Sequence, residues 1–292
     1  MNSEDIDMSR KRFRYITPFV GEAFFTVVKN GIADAARMLD AEFEFTGTED
    51  ADVEEICRMI RQTADEKYDG IAVSLVEEEN MADAIAYAAD QGVPVVAFNI
   101  GGTGKTRVLS NICQDAYKAG QTVGEKIRDN LGTGKVIFTL HDDVEVLRQR
   151  LDGILSMLPD DLDYKVMVSG NSPELACKNI QAEMEKEGNV TAVIGTGQSD
   201  THGAGLALKA AGKGKFYVAG FDVCQDILQM VKEGVVDFTI DQQPYVQGFY
   251  PLLQLWQNAS YGIVPSDINA GAAVIDSSNI DLVLDAAAKG CR

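Results

Sequence analysis

"GVPVVAFNIGGTGKTRVLSNICQD", residues 92–115, is the stretch on which the fold turns. An apolar, β-branched run ends at Phe98 and passes into "NIGGTGKT" (99–106), which nearly spells a phosphate-binding loop. That loop needs G-x-x-x-x-G-K-[ST] between a strand and a helix, because amides at the helix N-terminus hold the phosphate. Gly104, Lys105 and Thr106 fit, but Asn99 stands where the first Gly belongs. The following "RVLSNIC" (107–113) reads as a strand, so no helix N-terminus meets a phosphate. The segment is therefore a ligand loop of another kind at a strand's carboxyl end, with Asn99 as its working residue.

Outward from it, strand and helix signals alternate along the chain. Short apolar runs read as buried strands at 13–19, 42–47, 70–75, 94–100, 135–140, 164–170, 191–197, 215–221 and 237–242. Between them Val53, Ile56, Ile60 and Ala64 fall at helical spacing, with Asp52 placed as the cap. Ala116, Ala119, Val123, Ile127 and Leu131 form a second stripe after Asp115, and Gly132 is the expected stop. Such alternation predicts an α/β fold with parallel sheets covered on both faces. Nine or more strands divide better into two doubly wound lobes than into one open sheet, with the break after "RVLSNICQD" (107–115).

Composition narrows the function classes. The chain has 292 residues and a formal net charge of −19, a surface that repels nucleic-acid phosphates and anionic lipid. The basic cluster "SRKRFR" (9–14) reads as a solvated tail. No apolar stretch reaches the roughly 18 residues of a membrane span, and no signal peptide is read in this chain. The 5 cysteines are scattered without a C-x-x-C pair, which disfavours a disulfide framework or a zinc site and favours buried free thiols. Only 2 histidines exist, His141 and His202. Adjacent residues such as "HDD" (141–143) rarely converge on one ion, so neither a catalytic constellation nor a metal or cofactor site is expected.

In doubly wound lobes, ligands sit beyond the carboxyl ends of the strands. Those ends here read "VGEAFF", "NIGGTGKT", "HDDVEVLRQR", "NSPE", "GQSD", "FDVC" and "DQQP". They are rich in amides, carboxylates and hydroxyls interleaved with Phe24, Phe25 and Phe221. That mixture suits a hydroxyl-rich ligand, with planar groups for bidentate bonds and aromatic faces for C–H surfaces.

The same segments, in order, resemble the type I periplasmic sugar-binding proteins, the ribose-binding-like solute receptors of ABC transporters. "GEAFF" (21–25), "GVPVVAFNI" (92–100), "RQRLDGI" (148–154), "VAGFDVCQDIL" (218–228) and "VDFTIDQQPYVQG" (236–248) carry the likeness. It implies two lobes joined by three crossovers and closing on the ligand like a hinge. The lobes would be 12–114 plus 243–264, and 115–242 plus 265–292. Phe24 and Phe25 would sandwich the ligand ring, and Asn99 would bond its hydroxyls. Arg148 would clamp from the second lobe, with Phe221 packing beside Asp222, a bidentate acceptor. Gln114 and Gln242 at crossovers, Asn171 in "NSPE", and Gln198 or Ser199 complete the set. Glu22 stands where many relatives have Asn, and Asn99-Ile100 where many have Asp-Arg.

The resemblance implies a binding protein, and not an enzyme, that delivers a neutral sugar or polyol to a membrane permease. It would be monomeric and extracytoplasmic, with a cytoplasmic location left open. "FVGEAFF" (19–25) also resembles a stretch of autoinducer-2 binders, which keeps a signal receptor as an alternative. A regulator core shares the fold, but its DNA-binding helix-turn-helix would need roughly fifty further residues.

Overall fold

The computed structural model describes residues 10–21, 24–212 and 216–292. The chain forms two compact units. One runs to Gln114 and takes up again over Gln243–Ala270 and Gly290–Arg292; the other comprises Asp115–Gln242 and Gly271–Lys289.

The first unit opens with β1 (Arg12–Thr17), α1 (Phe24–Leu39), β2 (Glu42–Gly47) and α2 (Val53–Asp65). It continues with β3 (Gly70–Val73), α3 (Glu78–Asp90), β4 (Val95–Asn99) and β5 (Asn111–Cys113). The second unit follows as α4 (Ala116–Ile127), β6 (Lys135–Leu140), α5 (Glu145–Leu155), β7 (Tyr164–Val168) and α6 (Pro173–Glu187). Then come β8 (Val190–Gly195), α7 (Gln198–Ala211), β9 (Tyr217–Phe221), α8 (Gln225–Lys232) and β10 (Phe238–Asp241). The chain returns to the first unit as α9 (Pro244–Tyr261) and β11 (Ile268–Asn269). It closes the second with β12 (Ala273–Asp276) and α10 (Ile280–Ala288).

Each unit is built on one six-stranded sheet, in the orders β11-β5-β4-β3-β1-β2 and β12-β10-β9-β8-β6-β7. Every pairing is parallel except β10 with β12. Parallel strands need helical crossovers, which cover both faces, and so the central strands are continuous apolar runs. β3 is buried at all four positions, and β4 at its first four. Each sheet separates two apolar layers, Ile16, Ile71 and Val95 facing one side of the first and Phe13, Tyr15 and Phe98 the other.

Local signals act where the sequence places them. Asp52 accepts from Glu55 N at 3.0 Å and caps α2, and Asp115 does the same for α4 through Lys118 N at 3.0 Å.

Four expectations are corrected. α4 stops at Ile127, before Gly132, because Asn130 turns back and its Nδ2 donates to Lys126 O at 3.0 Å. Residues 265–270 and 290–292 belong to the first unit: β11 pairs with β5, Asp267 Oδ1 accepts from Asn111 N at 2.8 Å, and Asn30 Nδ2 donates to Gly290 O at 2.9 Å. The basic cluster is no solvated tail at its end, for Arg14 is buried in β1. Its guanidinium donates to Glu44 (2.6 Å), Glu66 (3.0 Å), Thr63 (3.0 Å) and the Tyr68 hydroxyl (2.8 Å). None of the 5 cysteines is in a disulfide, but only Cys57 is buried and the others are half-buried.

Candidate functional site

In the second unit, three strand ends and one helix bring polar groups onto one aromatic ring. β9 ends at Phe221, which is fully buried, and the Arg150 guanidinium carbon from α5 lies 4.4 Å from its ring centroid. Arg150 Nη1 donates to Thr196 O beyond β8 at 2.8 Å and stands 3.4 Å from Asp222 Oδ2. From beyond β10, Gln242 Nε2 donates to Asp222 Oδ1 at 2.7 Å. Asp222 has a left-handed φ of 72°, which Asp tolerates better than most residues. Its backbone is fixed there: Asp222 N donates to Ile240 O at 2.8 Å, and Thr239 Oγ1 donates to Asp222 O at 2.7 Å. Both carboxylate oxygens are thus aimed by neighbours and retain acceptor capacity, since each has two lone pairs.

The turn after β8 is held from below by Asp200, which is completely buried. Asp200 Oδ2 accepts from Thr196 N at 2.7 Å and from Thr139 Oγ1 at 3.1 Å, while Oδ1 accepts from Gly197 N at 2.9 Å. A carboxylate at the start of α7 also meets the positive end of the helix dipole.

In the first unit, β4 ends at Asn99, also left-handed with φ 62°. Its Oδ1 accepts from Ser74 Oγ, just beyond β3, at 3.3 Å. The loop that follows wraps around Glu78, the first residue of α3. That carboxylate accepts from Thr103 N and Thr103 Oγ1 at 2.7 Å each, Lys105 N at 2.9 Å and Thr106 Oγ1 at 3.3 Å. Burial opposes the charge of Glu78, but these donors outweigh it and hold its carboxyl below the ordinary range. Lys105 Nζ pairs with Glu79 at 2.5 Å. The groups that would grip a phosphate in a nucleotide loop are here engaged by the protein's own acids.

The sequence-predicted residues therefore divide. Asp222, Gln242, Phe221 and, in place of Arg148, Arg150 come together in the second unit. Arg148 points away: it is half-exposed and forms a bidentate pair with Asp143 at 2.7 and 2.6 Å. Two helical steps separate the two arginines by roughly 200° around the axis, which turns Arg148 outward when Arg150 faces in. Ser199 Oγ donates to Asn171 O at 3.2 Å; Asn171 and Gln198 are exposed. Asn99 and Gln114 close the ends of β4 and β5 in the first unit. Phe25 is a correction: only 3% exposed, it packs on Phe45 and Phe98 in the core and offers no ring face. Phe24 stays half-buried, edge-on to Phe25 at 5.2 Å. Glu22 lies outside the described residues.

One residue escaped the sequence reading, and a second was weighed there only for metal or catalytic work. Phe19, 41% exposed with φ 53°, is an uncovered aromatic just beyond β1; its signal was its position after Pro18 at a strand end. His141 occupies the corresponding place just beyond β6.

Among the described residues no group of three or more His, Cys, Asp or Glu is arranged to hold a metal ion, and no helix is long and apolar enough to cross a membrane.

Known proteins share this architecture. The xylose/arabinose-binding protein XylF of Sulfolobus acidocaldarius is 26% identical over 285 residues, covering 91% of this chain and 71% of that protein. The ribose import binding protein RbsB of Haemophilus influenzae is 25% identical, with 77% of each covered. A carbohydrate transporter structure from Acidothermus cellulolyticus, in complex with myo-inositol, superposes with a TM-score of 0.82 at 25% identity, over 97% of this chain and 100% of that one. A sugar-binding protein structure from Bacillus halodurans reaches a TM-score of 0.84 at 21% identity, over 93% and 99%, a likeness of fold. The family model for the periplasmic binding protein domain matches residues 13–262. With two parallel α/β units built on one strand order and that match across most of its length, the chain belongs to the periplasmic binding protein domain family.

Proposed function

We propose that this chain captures a neutral sugar or polyol outside the cytoplasm and delivers it, as a monomer, to the membrane permease of an ABC transporter. One observation carries the reading: Asp222, oriented by Arg150 and Gln242 beside the buried Phe221. A carboxylate fixed in this way accepts from two adjacent hydroxyls at once, and charge-assisted bonds of this kind are worth about 1.5–3 kcal/mol each. Each unit holds further groups of the same kind, Gln198 and Ser199 as donors and acceptors in the second, and Asn99 and Gln114 with the aromatic Phe19 and Phe24 in the first. The named ligands of the relatives, xylose, arabinose, ribose and myo-inositol, are all of this chemical class.

Calorimetric titration with D-xylose, L-arabinose, D-ribose, myo-inositol and autoinducer-2 tests the proposal. At least one should bind without being altered, and Asp222→Ala should reduce its affinity at least a hundred-fold. Unaltered affinity in Asp222→Ala would overturn the assignment. Binding of autoinducer-2 alone would favour a signal receptor.

A further inference from the structure

We infer that His141, backed by Asp200, is a ligand-contacting residue of the second unit whose imidazolium donates to a ligand oxygen and makes affinity depend on pH. The inference rests on the sugar-binding reading and adds a residue to its site. His141 directly follows β6, the strand beside β8, so it lies at the same sheet end as Thr196, Asp222 and Gln242.

The ring has a sealed edge and an open one. Its Nδ1 is shut off from solvent and lies 3.5 Å from Asp200 Oδ1, an ion-pair separation without a hydrogen bond. A Cβ at Gly197 would come within 2.3 Å of Nδ1 and 2.6 Å of Cε1, so the backbone closes over that side and only glycine admits the ring. The side chain nevertheless keeps 31% exposure on atoms other than Nδ1.

The surroundings favour charge on this ring. Asp200 faces it from α7, Asp222 from the end of β9 and Arg150 from α5. Asp142 and Asp143 on its own loop are exposed, and Asp143 is engaged by Arg148. Burial and Arg150 disfavour the imidazolium, but Asp200 and then Asp222 outweigh them and raise its pKa above the ordinary value. In the charged form both nitrogens carry protons: Nδ1–H is directed to Asp200, and Nε2–H is free to donate to a hydroxyl or ring oxygen. When the ring loses one proton to solvent, the other stays on Nδ1 facing the Asp200 carboxylate. Nε2 then changes from a charged donor to a neutral acceptor. A charge-assisted bond is about twice as strong as a neutral one, so ligand affinity is higher below the titration midpoint. By reciprocity, bound ligand raises that midpoint.

The test uses the full chain and the four sugar and polyol probes named above, by calorimetry at pH 5.5, 7.0 and 8.5. For the probe that binds, affinity should fall about five-fold from pH 5.5 to 8.5. His141→Gln should bind about ten-fold more weakly at pH 5.5 and show no such slope. With only 2 histidines in the chain, ring resonances are assigned by their loss in His141→Gln. The His141 midpoint should move upward by the same five-fold factor at saturating probe, and this measurement on the natural chain does not depend on how the variant folds. If Asp222→Ala abolishes binding while the natural chain shows no slope and the His141 midpoint is indifferent to probe, the inference is overturned and the sugar-binding reading stands. If the folded natural chain binds none of the probes, both fall together.

Discussion

The two units repeat one design and differ in how they charge it. Strand for strand the sheet orders correspond, β4 with β9 and β5 with β10. In each unit the fourth strand carries a buried Phe, Phe98 or Phe221, followed by a polar residue with left-handed φ, Asn99 or Asp222. An L-residue in that region is strained by about 1 kcal/mol or more, which persists only where the surroundings fix it. The backbone thus aims a side chain off the sheet end in both units. In the first that side chain is a neutral amide beside Ser74, and Phe98 is walled into the core by Tyr15 and Phe25. In the second it is a carboxylate, and the Phe ring is roofed by Arg150. Shape is shared, and charge is concentrated in the second unit.

Arg150→Ala should break the comparison most severely. It removes the roof of Phe221 and the cation beside Asp222, leaving a carboxylate that is only 15% exposed without its charge partner. Loss of one member of such a buried pair costs about 3–5 kcal/mol, so the melting temperature should fall and affinity for the bound probe should drop more than a hundred-fold. Phe25→Ala strikes the first unit instead. A cavity among Phe45, Phe98 and Phe24 should cost about 3 kcal/mol in denaturant unfolding, while affinity per folded molecule stays within about three-fold. If Phe25→Ala abolished binding in folded protein, the core assignment would be wrong and the ring sandwich restored.

Acid sharpens the contrast by a smaller amount. Asp276, at the end of β12, is bonded by Ser278 Oγ at 2.6 Å and Lys126 Nζ at 2.9 Å, which hold its carboxyl down at about 2. A depressed carboxylate pKa stabilises the fold above the unfolded value, and that contribution is lost as pH falls through the folded one. Between about pH 4 and pH 2 the second unit should therefore lose on the order of 1 kcal/mol from this group, less than its shift implies because Lys126 is 36% exposed and water screens the pair. Hydrogen exchange of β12 followed down that range reads it, and the loss should be absent in Lys126→Ala with Ser278→Ala. Exchange that did not respond to pH in the natural chain would show that the antiparallel edge is held by its ladder alone.

Most of the frame was legible because parallel strands buried on both faces write themselves as apolar runs. The run at 135–140 coincides with β6, buried at all but its first position, whereas the run at 42–47 coincides with β2, an edge strand with no buried residue that is read from its β-branched and aromatic residues alone. β11, with two residues, and the antiparallel β12 carry too little pattern to be read, and with β11 went the position of the last crossover. The turn chemistry of 99–106 was legible as a departure from a phosphate loop, but its occupant was not, since Glu78 reaches it from 21 to 28 residues away in sequence. Asp222 and Gln242 could be singled out because strand ends are where ligands meet α/β sheets. His141 could not, because its meaning comes from Asp200, 59 positions on.

The smallest expected effect tests the sharpest disagreement between motif and structure. "RQR" (148–150) offers two arginines at the start of one helix, and likeness of sequence favoured the first. In the fold, Arg148 is 51% exposed and closes a local loop through Asp143, five residues back, whereas Arg150 is 4% exposed and reaches 46 residues forward to Thr196 and 72 to Asp222. A solvated pair of this kind trades one set of hydrogen bonds for another with water, so its removal changes little. Arg148→Ala should leave both the melting temperature and the affinity within experimental error, and Arg148→Ala with Arg150→Ala should match Arg150→Ala alone. A large loss of affinity from Arg148→Ala, with stability intact, would mean that Arg148 leaves Asp143 for the ligand when one is bound. The charge asymmetry between the units would then rest on two arginines rather than one.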